Sequence, residues 1–292
     1  MVAVAQAATL TDVCTTSHVA ASLPSDLFGL TVDSSSVTAS PIYNTSIAAS
    51  VMYPAATIDF CNVTMAYSHN GRNDSVLLNF WLPTPANFQN RWLSTGGGGL
   101  AINSGASTTG SLPGGVMYGA VSGMTDGGFG GFTTQWDAVF LLANGTVNDE
   151  ALYMFGYRAH HEISTIGKTF TKNFFGMNST RLYSYYQGCS EGGREGWSQV
   201  QRFGDEWDGA VIGALAFRYG QQQVNHLYSH VVEQTIGYYP PPCELQTIVN
   251  ATIAACDSLD GKTDGVVSRT DLCKLNFNIN VRTRLIPLPY RC

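Results

Sequence analysis

Between residues 91 and 214 short apolar, β-rich runs alternate with helical periodicity, and glycine marks most of the changes. Arg91-Trp92-Leu93 reads as a short buried strand running into Gly96-Gly97-Gly98-Gly99. Val116 to Ser122 reads as a second, followed by Asp126-Gly127-Gly128. Leu152, Phe155, Ala159, Ile163, Ile166 and Phe170 then recur at three and four residues, the spacing of one buried helix face, ending near Gly176. Arg181 to Tyr186 is a β-rich run feeding a turn at Gly188. Gly192 onward reads as a helix and Asp208 to Ala214 as a further buried strand. Strand, helix, strand, helix, strand at this spacing predicts an α/β fold around a parallel sheet. Residues 1–75 are rich in Ser, Thr and Ala, with a β-like run at Ile58 to Met65; Val76 to Leu82 is another. From about 217 the rhythm breaks into Tyr238-Tyr239-Pro240-Pro241-Pro242, an acidic glycine loop and four cysteines. The expected division is therefore residues 1–216 as one domain and 217–292 as the start of a lid-like region.

Composition narrows the setting. Hydrophobic residues make up 44% of the 292, ample for a core, but only 12% are charged, about half the usual share. A disordered chain is excluded on those grounds. The net charge is −6 and no basic cluster exists, so no nucleic-acid partner is expected. No apolar run reaches the roughly 18 residues of a membrane helix. Seven cysteines occur without a CxxC pair, and six Asn-x-Ser/Thr sequons lie at Asn44, Asn62, Asn73, Asn144, Asn178 and Asn250. Together these predict a secreted, extracellular glycoprotein with disulfides. The start, Met1 to Ala8, lacks the charged segment and long apolar run of a full signal peptide, and is read as already processed. The cysteine number is odd and the last residue is Cys292, so a thiol partner is expected elsewhere.

Gly188-Cys189-Ser190-Glu191-Gly192 is a G-x-S-x-G between a strand and a helix. Glycines there allow a tight turn and keep bulk from the serine, whose hydroxyl then stands exposed at the strand end. The Glu191 amide at the helix start points to the same place and suits an oxyanion, aided by the helix dipole. The 96–99 glycines follow a strand about 90 residues upstream, where such folds place the second oxyanion amide. A flexible surface turn is the plainer alternative; a dinucleotide loop fits poorly because no G-x-G-x-x-G opens a helix here. A serine nucleophile needs an acid and then a histidine after it in this fold order. Downstream the chain offers His226 and His230, at a spacing that permits metal binding but reads better as structural. His160 and His161 lie in the helical pattern and also read as structural. The triad is therefore expected to be incomplete within these residues.

Cys256-Asp257-Ser258-Leu259-Asp260-Gly261-Lys262-Thr263-Asp264-Gly265-Val266 gathers three carboxylates within eight residues. Calcium takes six to eight hard oxygens, carbonyls included. Asp257, Asp260 and Asp264 could supply side chains and Lys262 and Val266 carbonyls; a solvated Asp-Gly turn is the alternative. A bridge between the flanking Cys256 and Cys273 would close the loop and remove on the order of 3 kcal/mol of unfolded-state entropy.

Several motifs in order carry a resemblance: STGGGG, FGYRAHHEIS, GCSEGGREGWSQVQRFGDEWDGAVIG and CDSLDGKTDGVV. Over nearly the whole chain the sequence resembles the fungal tannase and feruloyl esterase family, and its tail is similar to the tannases in particular. That resemblance implies an α/β-hydrolase fold with a large lid domain, only partly contained in this chain. It implies a carboxylic ester hydrolase acting on galloyl (phenolic acid) esters of tannins and releasing gallic acid through an acyl-enzyme on Ser190. The expected oxyanion donors are the amides of Glu191, Gly97 and Gly98, and the resemblance implies a structural Ca2+ at Asp257, Asp260, Lys262, Asp264 and Val266. Bridges Cys14–Cys61 and Cys256–Cys273 follow from it, while Cys189 is expected to join a cysteine beside the catalytic His. The Asp and His would come from a second, disulfide-linked chain of the same precursor, and a higher oligomer is compatible. Cys243 and Cys292 are left without an assigned partner. Leu215 departs from the family, which has Pro in that segment. Rival expectations are a feruloyl or chlorogenate esterase of the same family, and a non-catalytic polyphenol- or glycan-binding protein.

Overall fold

A computed structural model of the chain describes residues 8–99, 101–102, 112–130 and 140–276. Its contacts divide the chain into two units, before and after the Arg218–Tyr219 bond, two residues beyond the expected 216/217 boundary. The first unit is a seven-stranded mixed sheet in the order β1-β2-β3-β5-β4-β6-β7. Strands β1 (Leu30–Ile47), β2 (Ala56–His69) and β3 (Val76–Pro83) form an antiparallel meander. Strand β5 (Ala120–Thr125) pairs antiparallel with β3 and parallel with β4 (Arg91–Thr95). Strands β6 (Tyr183–Cys189) and β7 (Gly209–Gly213) extend the parallel part. The parallel sheet expected from the alternation therefore exists, and the Ser/Thr-rich first third adds an antiparallel edge to it.

Two short helices, α1 (Leu10–Val13) and α2 (Thr16–Ala21), precede the sheet and are tied to β2 by the Cys14–Cys61 disulfide. Helix α3 (Leu112–Met117) corrects the expected strand at Val116 to Ser122: Val116 and Met117 end the helix and only Ala120 begins the strand. Gly119, at φ 67°, turns the chain between them. Helix α4 (Asp149–Tyr153) is capped by the Asn148 side chain on the Ala151 amide. It passes through one π-helical stretch, Met154–Arg158, into α5 (Ala159–Phe174). The wider turn shifts the helical phase, so Leu152 is exposed although Phe155, Ala159, Ile163, Ile166 and Phe170 are buried as the spacing required.

Helix α5 lies against β4 and β5. A Cβ at Gly167 would fall inside the Trp92 indole, 2.7 Å from its Cζ2, so glycine lets the helix sit on the ring. Trp92, Phe80, Phe170, Ile163 and Ile166 are fully buried around that contact. Helix α6 (Glu191–Arg202) packs on β6 and β7. The second unit holds α7 (Tyr219–Ile236), α8 (Pro242–Cys256) with proline in its first turn, a 3-10 turn at Asp257–Asp260, and α9 (Thr270–Asn276). The Cys256–Cys273 bridge joins the end of α8 to α9.

Candidate active site

Ser190 stands between the end of β6 and the start of α6 with φ 61° and ψ −116°, a backbone region that favours glycine. Its amide donates to the Gly213 carbonyl at 3.1 Å, and its carbonyl accepts from Arg194 and Ala216 at 3.1 and 3.2 Å. The bend is thus fixed to the end of β7 on one side and to its own helix on the other. A Cβ at Gly188 would sit 2.7 Å from the Gly192 carbonyl oxygen. One at Gly192 would sit 3.1 Å from the Gly97 carbonyl oxygen and 3.2 Å from Gly96. Close backbone approach therefore requires glycine at 188 and leaves little room for a side chain at 192. The Ser190 side chain is half-exposed and hydrogen-bonds to no described group.

The two expected sources of oxyanion donors fare differently. The Glu191 amide is the first of α6 and has no acceptor among the described residues. The Gly97 amide donates to the Glu195 carboxylate at 2.9 Å, and the Gly98 amide to the Ala101 carbonyl at 3.2 Å. Both are committed within the protein, which departs from their expected role. The glycine turn nonetheless borders the nucleophile turn, because the Gly192 amide donates to the Gly97 carbonyl at 3.0 Å.

Buried charge gathers on the helix that follows Ser190. Glu191, Glu195 and His160 are all fully buried or nearly so. Arg194 bonds Glu191 at 2.6 and 2.8 Å, reaches the Gly156 and Phe155 carbonyls at 3.0 and 2.8 Å, and lies 4.4 Å over the Phe155 ring. The π-helical stretch is thus pinned to the nucleophile helix. Burial raises the Glu191 carboxyl to about 7, against the pull of Arg194 and helped by Glu195. Burial opposes the Arg194 charge, but its bond to Glu191 and both carboxylates outweigh this and raise its pKa. The Tyr186 hydroxyl, which donates to the Gly192 carbonyl at 2.7 Å, is pushed well up by burial and then by Glu195.

His226 and His230 are exposed on α7, with His230 Nδ1 3.5 Å from Glu233. His161 stacks on Phe203 at 3.8 Å. His160 reads as structural in the sequence, and no motif there marks Glu195; the structure places His160 Nε2 3.0 Å from Glu195 Oε2. A signal was present: His160 lies three residues before Ile163, on the buried face of its helix. Also unforeseen is a chain in which His69 Nδ1 meets Asp74 at 2.6 Å, Nε2 meets Glu162 at 3.0 Å, and Glu162 accepts from Tyr67 at 2.5 Å.

Cys189, next to the serine, is unbridged among the described residues. Cys14–Cys61 and Cys256–Cys273 are formed, Cys243 is disulfide-bonded, and Cys292 lies outside the described residues. In the acidic loop Asp257 accepts from the Asp264 and Gly265 amides, Asp260 from Lys262 and Asp264 from Val266, at 2.8 to 3.2 Å. The donor set, three carboxylates with carbonyls, is of the kind calcium takes. Yet each carboxylate is turned to an amide of its own loop, and no group of three or more His, Cys, Asp or Glu converges for a metal among the described residues. Of the sequons, Asn44, Asn73, Asn144, Asn178 and Asn250 are exposed, whereas Asn62 is half-buried with its oxygen accepting from Asn79 at 2.7 Å. No helix among the described residues is long and apolar enough to cross a membrane.

Comparison with known proteins decides the family. The family model described as tannase and feruloyl esterase matches residues 61–286. The chain belongs to the tannase and feruloyl esterase family. A tannase of Aspergillus oryzae is 54% identical over 291 residues, covering 99% of this chain and 47% of that protein. A probable feruloyl esterase of Arthroderma benhamiae is 38% identical, over 76% of this chain and 41% of its own length. Among solved structures, a tannin acyl hydrolase from Aspergillus niger superposes with a TM-score of 0.88 at 64% identity, over 95% of this chain and 50% of that one. The sheet and its helices are accordingly those of an α/β-hydrolase-type fold. This family member spans about half the length of the curated relatives it matches.

Proposed function

We propose that the chain is the nucleophile-bearing part of a secreted serine ester hydrolase that cleaves galloyl esters of tannins. The observation that carries this is Ser190 at φ 61° on a glycine-walled bend between β6 and α6. Its hydroxyl attacks the ester carbonyl and the alcohol leaves; water then attacks the acyl-enzyme and releases gallic acid. The amide of Glu191 donates to the oxyanion. The base is a His, oriented by an Asp, on a second, disulfide-linked chain of the same precursor. This is supported by the free Ser190 hydroxyl, the unbridged Cys189 and the double length of the relatives. A bridge from Cys189 would hold that His beside the serine. Calcium at the Asp257, Asp260 and Asp264 loop would brace the second unit, read as the start of a lid, and would itself take no part in the chemistry. The exposed sequons would carry sugar, in keeping with secretion.

The test is labelling by a fluorophosphonate in the full-length protein, with turnover of methyl gallate. Loss of both in Ser190→Ala supports the reading; unchanged labelling or turnover in that variant overturns it. A feruloyl esterase is the second reading, favoured by the feruloyl esterase names among the relatives. Relative rates on methyl gallate and methyl ferulate separate the two.

A further inference from the structure

The segment Gly96–Gly97 is held by the nucleophile helix from two directions. The Gly97 carbonyl accepts the Gly192 amide at 3.0 Å, and the Gly97 amide donates to Glu195 Oε2 at 2.9 Å. No side chain fits at Gly96, where a Cβ would come 2.5 Å from that same carboxylate oxygen. Glu195 is fully buried, and its Oε2 also lies 3.0 Å from the fully buried His160 Nε2. Its other oxygen is 3.9 Å from Arg194. Burying a carboxylate costs several kcal/mol unless paired, and replacement of buried ion pairs by apolar residues is often neutral or stabilising. Packing alone therefore does not call for a glutamate here. What the carboxylate does achieve is specific: it ties the glycine turn after β4 to the helix that begins at Ser190.

We propose that Glu195 is a positioning residue for ester cleavage at Ser190, acting through the Gly96–Gly97 turn; this rests on the serine-hydrolase reading above. The Gly97 amide is consumed by the tie, so Glu195 works by fixing where the turn stands beside the nucleophile. Catalytic constellations need their parts held within about 0.5 Å, which one lost hydrogen bond on a glycine turn is enough to relax.

The experiment uses the full-length protein, with kcat and KM on methyl gallate, fluorophosphonate labelling and melting temperature for each variant. Glu195→Met removes the acceptor, Glu195→Asp keeps the charge but falls short of Gly97, and Glu195→Gln keeps an acceptor oxygen at the same reach. We expect kcat to fall at least about tenfold in the Met and Asp variants with KM within about twofold, and the Gln variant to keep about a third or more of kcat. Where the Met variant does not fold, the Asp variant decides. A folded Met or Asp variant with full kcat overturns the proposal, as does a Gln variant that falls as far as Met. A wild-type protein that neither labels nor turns over removes the esterase reading itself, and the proposal with it.

Discussion

Ser190 adopts a conformation that costs an L-residue on the order of 1–3 kcal/mol, and the surrounding bonds from Gly213, Arg194 and Ala216 hold it there. Strain of this kind, facing half-open space, is how a serine is presented for attack. Ser190→Ala is expected to lower turnover by about a thousandfold or more while leaving the far-ultraviolet dichroism intact. Glu191, the next residue, carries a different prediction. Its folded carboxyl titrates near 7, above the free value of 4.5, so the folded protein holds a proton that the unfolded chain releases between them. The stability this group contributes is full below the lower value and is lost as pH rises through the upper one. Melting temperature should therefore fall between about pH 5 and pH 8, and Glu191→Gln should flatten that fall. Equal slopes in the two proteins would remove Glu191 as the cause.

At the scale of elements, glycines at contact points decide how closely helices approach the sheet. Gly167 lets α5 rest on Trp92, and Gly167→Ala is expected to destabilise by about 2 kcal/mol through overpacking, read as a lowered denaturation midpoint with unchanged slope. The second unit has less apolar packing to rely on: α7 buries none of its residues. Its Cys256–Cys273 bridge closes the acidic loop, and replacing both cysteines with serine should cost about 3 kcal/mol. Chelation should lower the melting temperature if the Asp257, Asp260 and Asp264 loop holds calcium; an unchanged melting curve would argue against the ion. Much at this scale was legible in the sequence. The period from Phe155 to Phe170 gave the buried face of α5, because burial repeats with the helical turn. The π-helical stretch at Met154–Arg158 was not legible, since its register is imposed by Arg194 capturing the Phe155 and Gly156 carbonyls. Val116 read as strand because β-branched apolar residues fit either structure, and Gly119 alone marks the change.

For the whole molecule, each of the two units leaves apolar side chains exposed. Strand β7 pairs only with β6 among the described residues, and Val211 on it is 63% exposed. Val224, Leu227, Tyr228 and Val231 are exposed on α7. The relatives supply about as much chain again. If the base lies on a second chain, as proposed, this chain alone should fail to react with a fluorophosphonate; full labelling of the chain alone would refute a base held elsewhere. Local sequence by itself determined the strand–bend–helix around Ser190, the buried stripe of α5 and the acidic loop, because each depends on residues within a few positions of one another. The family resemblance suggested the Cys14–Cys61 and Cys256–Cys273 pairs. Only the tertiary structure decided that Gly97 gives its amide to Glu195, that His160 faces that carboxylate, and that His69 bridges Asp74 and Glu162. Those pairs join residues up to 98 positions apart, and no periodicity records which buried charge will meet which. That choice is made by the crossing of helices over a sheet, where an unpaired charge is too costly to leave alone.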